Sequence, residues 1–295
     1  MSDYSENYDH ALNTLEHGKA HIILEIEQDF EKKLIKDGVS NLIISANSVD
    51  IFKGSIGASY LSNIIFDFSS DLKSEMSGAE SAPLINILPL NKFNEHLVYK
   101  NFMIPAIMAM LVTMITCFLP TLNIVSEKEK GTIEQINVTP VNKFLFILSK
   151  LIPYLAMGFV IFTMTIFIAQ LIYDFYPKGD YLSLYIFTFI YVFVASGLGL
   201  IISNYSETMQ QAMFVMLFFI MILFFMSSLF TPVEYMPEWG QWIGAFNPLK
   251  YYGYALRSIF LKGSNFFDLY KEFIILVAFA ISLNFLAVVS YKKNS

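Results

Sequence analysis

The chain has 295 residues, 55% of them hydrophobic, with 29 phenylalanines and a net charge of −6. That apolar content is too high for a soluble domain of this size. The acidic balance argues against a nucleic-acid partner, because phosphate binding needs Lys and Arg, and a single cysteine, Cys117, excludes an intrachain disulfide.

The charge is unevenly placed. Residues 1–100 carry fifteen Asp and Glu against eight Lys, a balance of −7, whereas residues 101–295 carry ten against eleven, a balance of +1. The first hundred residues therefore read as a soluble acidic domain, long enough to bury one modest core. A helix is predicted over Tyr8–Glu16, ending at Gly18. A compact β-branched run, Ala20–Ile26, suits a strand. A charged helix over Glu27–Lys36 stops at the Asp37-Gly38 turn signal, and Val39–Ala46 repeats the strand pattern. Ser55–Leu72 is a longer helix with an apolar line at Ile56, Tyr60, Ile64 and Phe68; Ser74–Ser81 follows as a loop, and Ala82–Leu90 as a third strand. All four histidines, His10, His17, His21 and His96, fall in this domain. The spacing of His17 and His21 suits a metal, but Gly18 interrupts the helix that would align them and no third ligand is near, so no metal site is expected.

Five apolar segments follow, approximately Phe102–Leu122, Leu151–Tyr173, Tyr181–Ser203, Ala212–Phe230 and Phe273–Tyr291. About twenty residues at roughly 1.5 Å rise match a hydrocarbon core of about 30 Å, where a helix satisfies its own backbone. The expected fold is a polytopic α-helical membrane protein of about five transmembrane helices, with a small α/β domain at its N-terminus. No phosphate-binding loop, zinc-protease pair or nucleophile elbow is present, so neither ATP hydrolysis nor peptide hydrolysis is expected of the chain itself.

Between the first two spans lies the charged connection 124–150. Thr132 followed by Gln135 fits a capping box, and Thr139-Pro140 an N-cap followed by proline at the first helical position. A short capped helix held between two spans makes a lever; the residues read equally as a solvated turn. Before the last span, Asn247 and Pro248 open a helix that Lys262 and Gly263 close, too short and too charged to cross. Lys250, Tyr254 and Arg257 are spaced to share one face, and Trp239, Trp242, Tyr251, Tyr252 and Tyr254 suit an interfacial aromatic belt. Within the spans, Asn284 requires a partner, served by a bond across helices or by lining a pathway, and the small residues Ala195–Gly199 permit close helix approach. Pro153 marks a kink or a start in the second span, and Lys150 is placed at the interface with its ammonium snorkelling to water.

Glu127-x-Glu129-x-Gly131-Thr132-x-Glu134 followed by Thr139-Pro140 resembles the motif after the second span of ABC-2 type exporter permeases, the membrane subunits of ATP-binding-cassette exporters. Ser228–Gly263, with Pro232, Pro237, Asn247-Pro248, Arg257 and Lys262-Gly263, resembles the signature before that family's last span. The resemblance, which is to the multidrug branch of the family, covers nearly the whole chain. It implies that Glu127, Glu129, Gly131, Thr132, Glu134, Thr139 and Pro140 couple the chain to a cytosolic ATP-binding subunit. It implies that 231–263 forms re-entrant helices in the outer leaflet, with Pro232, Pro237, Asn247, Pro248, Tyr254 and Arg257 gating the outer mouth, contacting lipid-like substrate or simply anchoring there. No cofactor is expected to bind directly; ATP and Mg enter through the partner subunit. The chain is expected to act in a homodimer or heterodimer of permeases in a bacterial cytoplasmic membrane, exporting a hydrophobic or amphipathic substrate.

Lys128, Lys130, Lys143, Lys150, Lys292 and Lys293 then fall inside and Lys178, Lys250, Arg257, Lys262 and Lys271 outside, a weak positive-inside bias. Five spans and an inner C-terminus put residues 1–100 outside the cell. Family members place a first span before that domain, so the resemblance implies either a true start upstream of Met1 or a split or truncated gene. The other readings are a non-transporting receptor or mechanotransmitter, with the outer domain as its ligand module, and an inactive truncated gene product.

Overall fold

A computed structural model of the chain describes residues 5, 7–16, 20, 22–37, 39–47, 51–75, 84–92, 99–132, 143–229 and 236–291. It divides into two compact units, Met1–Phe102 and Met103–Ser295, taken here one at a time.

In the first unit, α1 (Tyr8–Glu16), β1 (Ile22–Ile26), α2 (Phe30–Asp37), β2 (Val39–Asn47), α3 (Ile51–Glu75) and β3 (Leu84–Lys92) follow in the expected order. Strand β2 is central, antiparallel to β1 and parallel to β3. A parallel pair needs a crossover, and α3 supplies it. Pro89 lacks an N–H and is tolerated because β3, among the described residues, pairs on one side only. Leu42, Ile44 and Ile65 form the buried core, with Ile22, Phe30, Leu61, Ile85 and Ile87 packed against it. This corrects one expectation. The apolar line Tyr60, Ile64 and Phe68 is exposed, and the neighbouring line through Ala58, Leu61 and Ile65 meets the sheet instead. Two apolar lines run along this helix, and periodicity alone does not say which one the sheet covers. The expected loop 74–81 falls partly in α3, which runs to Glu75, and its remainder lies outside the described residues, as do His17, His21 and His96.

The long helices are α4 (Tyr99–Glu129), α5 (Lys143–Tyr173), α6 (Tyr181–Tyr205), α7 (Met209–Phe225) and α10 (Tyr270–Ser290). Between the last two lie α8 (Glu238–Ala245), α9 (Pro248–Arg257), a π turn at Ser258–Lys262 and a 3-10 turn at Phe266–Leu269 leading into α10. Among the described residues, four stretches are long and apolar enough to cross a membrane: Tyr99–Glu129, Ser149–Tyr173, Tyr181–Tyr205 and Phe266–Ser290. The fourth expected span, Ala212–Phe230, is instead the 17-residue α7, about 25 Å long and at the lower limit for crossing. It stops at Phe225 because the chain turns there, with Ser228 at φ 58. The connection 124–150 is also shorter than expected. Helix α4 runs on to Glu129 and α5 begins at Lys143, so both ends of that segment are helical extensions of the spans. Pro153 falls inside α5 rather than at its start.

Helices α4 and α6 run parallel through a ladder of polar contacts one turn apart. Thr113 Oγ1 meets Tyr191 Oη at 2.7 Å, Cys117 Sγ donates to Ala195 O at 3.3 Å, and Thr121 Oγ1 donates to Gly199 O at 2.9 Å. Gly199 is what permits this approach, since a Cβ there would fall 2.5 Å from Cys117 O. Gly199→Val gains almost nothing in helix propensity and collides with a backbone oxygen that moves only with its helix. It is expected to cost about 1–3 kcal/mol, read as a lower unfolding midpoint in detergent; an unchanged midpoint would count against this contact. Helix α10 lies beside α6 in the same direction. Asn284 Nδ2 donates to Phe193 O at 3.0 Å, fitting the notch at Gly197, and Asn204 Nδ2 donates to Ala287 O at 2.9 Å. Asn284 thus bonds across helices.

Candidate functional site

Three consecutive residues end α4, and on a helix each step turns by about 100°. Glu127, Lys128 and Glu129 therefore point three ways, and each meets a different element. The Glu127 carboxylate pairs with Lys150 of α5. Lys128 Nζ donates to Ser203 O, Asn204 O and Ser206 O at 2.5, 3.1 and 3.3 Å, the last carbonyls of α6. Glu129 accepts from the Met209 N–H, the first of α7, at 2.6 Å. A cation thus sits on a helix C-terminus and a carboxylate on a helix N-terminus, the arrangement each helix dipole favours. Thr208 completes the start of α7, its hydroxyl accepting from Gln211 N at 3.2 Å.

Gly131, at φ 72, ends α4 in the left-handed conformation that glycine adopts freely, and its N–H donates to Lys128 O. The Thr132 hydroxyl donates back to Glu127 O at 3.1 Å, closing the same helix end. Its expected capping partner Gln135, together with Glu134, Thr139 and Pro140, lies outside the described residues. Lys150 also reaches Asn123 Oδ1, at 3.5 Å. This hub joins the C-terminal ends of α4 and α6 to the N-terminal end of α7 and the early part of α5.

The opposite end of the bundle holds the short helices. Pro237 precedes α8 as its N-cap. Asn247 caps α9, accepting from Leu249 N at 3.0 Å, and Pro248 takes the first helical position. The Asn247 amide also donates to Leu223 O, near the end of α7, at 2.7 Å. Arg257, 4% exposed, donates through Nη1 to Ser228 O at 3.1 Å and through Nη2 to Leu229 O at 2.7 Å. Lys250, Tyr254 and Arg257 do share one side of α9, but only Arg257 is buried. Lys262 lies 5.9 Å from the Tyr254 ring centroid, and Gly263, at φ 76, ends the π turn. The 174–180 connection is tied to that turn by Lys178 N–H to Phe260 O and Gly179 N–H to Ile259 O. Pro232 lies outside the described residues.

One member of the expected aromatic belt belongs elsewhere. Tyr252 is fully buried, stacked on Tyr191 with ring centroids 4.0 Å apart and hydroxyl-bonded to Thr188. Trp239 and Trp242 are exposed. Among the hub residues, Lys128 and the Thr208–Met209 helix start escaped the sequence reading as functional groups. The one signal for the latter was a polar run, Ser203–Thr208, between two apolar helices.

The sequence profile of a family described as ABC-2 family transporter protein matches residues 1–289. Over 253 residues the chain is 28% identical to the probable multidrug ABC transporter permease YbhR of Escherichia coli (strain K12), spanning 85% of this chain and 68% of that protein. It is 26% identical over 193 residues to the probable multidrug ABC transporter permease YbhS of the same organism, spanning 65% and 51% of the two chains. With the inner membrane transport permease YhhJ, also of that strain, identity is 20% over 288 residues, spanning 95% and 75%.

Proposed function

Since the chain belongs to the ABC-2 family of transporter proteins, we propose that it is the permease subunit of an ATP-driven exporter, carrying a hydrophobic or amphipathic substrate outward across a bacterial cytoplasmic membrane. It works as a dimer, with itself or with a related permease, above two cytosolic ATP-binding subunits that hold the ATP and Mg. The relatives named as multidrug and transport permeases support the transport role.

The observation that carries the coupling mechanism is the three-way hub. A push on the short segment after α4 acts on Glu127, Lys128 and Glu129 together, and through them on α5, α6 and α7. In this reading the hub end is cytoplasmic. Gly131, Thr132, Glu134, Thr139 and Pro140 present the surface on which the ATP-binding subunit docks. Residues 1–100 then lie outside the cell, and α8 and α9 sit in the outer leaflet with Trp239 and Trp242 at the headgroups. Reversing the charge at Glu129 and Glu134 in the full-length protein tests the proposal: partner-driven transport is expected to stop, and transport at the wild-type rate would overturn it.

A further inference from the structure

Helix α7 differs from its neighbours in how it is held. Fourteen of the 25 residues of α6 are buried within the chain, against four of the 17 in α7, so this chain packs around most of α6 and along only one side of α7. Those four, Ala212, Met216, Ile220 and Phe224, form a single line at one-turn spacing. Such side-on apolar packing is non-directional and resists a shift along the helix axis weakly. The ends of α7 are held quite differently. Glu129 grips the Met209 N–H at one end; at the other Asn247 grips Leu223 O in the last turn of the helix, and Arg257 grips Ser228 O and Leu229 O in the turn that follows it. These bonds are directional, and those to Glu129 and Arg257 are charge-assisted. Between Met209 and Leu223 there is neither glycine nor proline, whereas α4 carries Pro105 and Pro120 and α5 carries Pro153. A helix without a break transmits a displacement over its roughly 25 Å instead of absorbing it.

We propose that α7 is a connecting rod between the hub and the short helices α8 and α9, with Glu129 and Arg257 as the positioning residues at its two ends. The proposal deepens the permease reading and rests on it only for what drives the rod. A displacement of the α4 end moves Met209, α7 follows as one body, and Arg257 and Asn247 carry the motion into α9. The α5 branch of the hub, through Glu127 and Lys150, is a separate arm: it carries Pro153, where a displacement is absorbed, and it reaches the π turn after α9 only through the 174–180 connection.

The test uses the full chain in phosphatidylethanolamine–phosphatidylglycerol vesicles with no nucleotide, partner or substrate, so its outcome is separable from any transport result. Cys117 is the sole cysteine and is buried, which leaves a reporter Glu238→Cys at the exposed start of α8 as the reactive thiol. Its labelling rate with a membrane-impermeant maleimide is measured in each background. Glu129→Ala is expected to change that rate by about threefold, the low end for coupling between distant sites. Arg257→Lys, which keeps the charge but loses the two-pronged grip, is expected to do the same. The two together should give no more than either alone, because both open one mechanical path. Lys150→Ala is expected to leave the rate unchanged. A wild-type rate in Glu129→Ala, or an equal change in Lys150→Ala, would overturn the rod.

Discussion

Replacing Arg257 with methionine is expected to destabilise the far end of the bundle by about 3 kcal/mol. The side chain is buried and its guanidinium serves two backbone carbonyls, Ser228 O and Leu229 O. A buried ion pair exchanged for apolar groups is often neutral, because both charges leave together. Here the acceptors are main-chain atoms and stay behind. Methionine fills the volume and leaves both carbonyls without their charged donor, so the desolvation cost remains uncompensated. The turn at Ser228, held at φ 58, loses its brace at the same time. In a domain of this size the loss corresponds to a fall in unfolding midpoint on the order of 10 °C, measurable by thermal unfolding in detergent. Arg257→Lys should recover part of it, because an ammonium reaches one carbonyl well but not two in fixed fork geometry. A midpoint in Arg257→Met equal to that of the wild type would mean that the carbonyls find other donors and that Arg257 is not the brace described.

Lys128→Met is expected to be the most damaging single change at the hub. Methionine keeps the apolar stem and removes the ammonium, so three carbonyls at the end of α6 lose a charge-assisted donor. The stability cost is about 2–3 kcal/mol. The functional cost is larger in kind, because Lys128 fixes the hub end of α6 to α4, beyond the Thr113, Cys117 and Thr121 contacts that join the two helices deeper in the bundle. Without it a push on the end of α4 is passed less directly to the end of α6, and ATP-driven transport should fall by about tenfold while the ATP-binding subunit still docks. Lys128→Arg, which keeps a cation at the helix end, should restore most of the rate. Equal loss in the arginine and methionine variants would point to packing of the stem rather than to charge at the helix terminus.

The apolar segments were legible in the sequence because crossing a bilayer demands length and hydrophobicity, and both are local properties. Helix starts were legible where a cap announces them, as at Asn247-Pro248. The end of α7 was not, since nothing before Phe230 interrupts its apolar run and the turn at Met226–Ser228 is set by contacts with Arg257. The buried face of α3 was missed because its apolar lines are equivalent until a sheet is placed against one of them. Tyr252 was assigned to the interface because tyrosine suits it, yet a hydroxyl bond to Thr188 makes full burial affordable. At the hub the charges were visible and their partners were not. Lys128 and Glu129 find backbone atoms some 75 to 80 residues away in the sequence, and a carbonyl or an amide at a helix end carries no side-chain signature.

In the proposed mechanism, ATP hydrolysed by a partner drives transport through the segment following α4. The most direct measurement is ATP-dependent uptake of a lipophilic fluorescent dye into inside-out vesicles holding the full-length protein and its ATP-binding subunit. The wild type is compared with the Glu129→Lys, Glu134→Lys double variant. Uptake that requires ATP in the wild type and is lost in the double variant, with the ATP-binding subunit still hydrolysing ATP, is the expected result. Uptake at the wild-type rate in the double variant, or uptake indifferent to ATP in the wild type, would contradict the account.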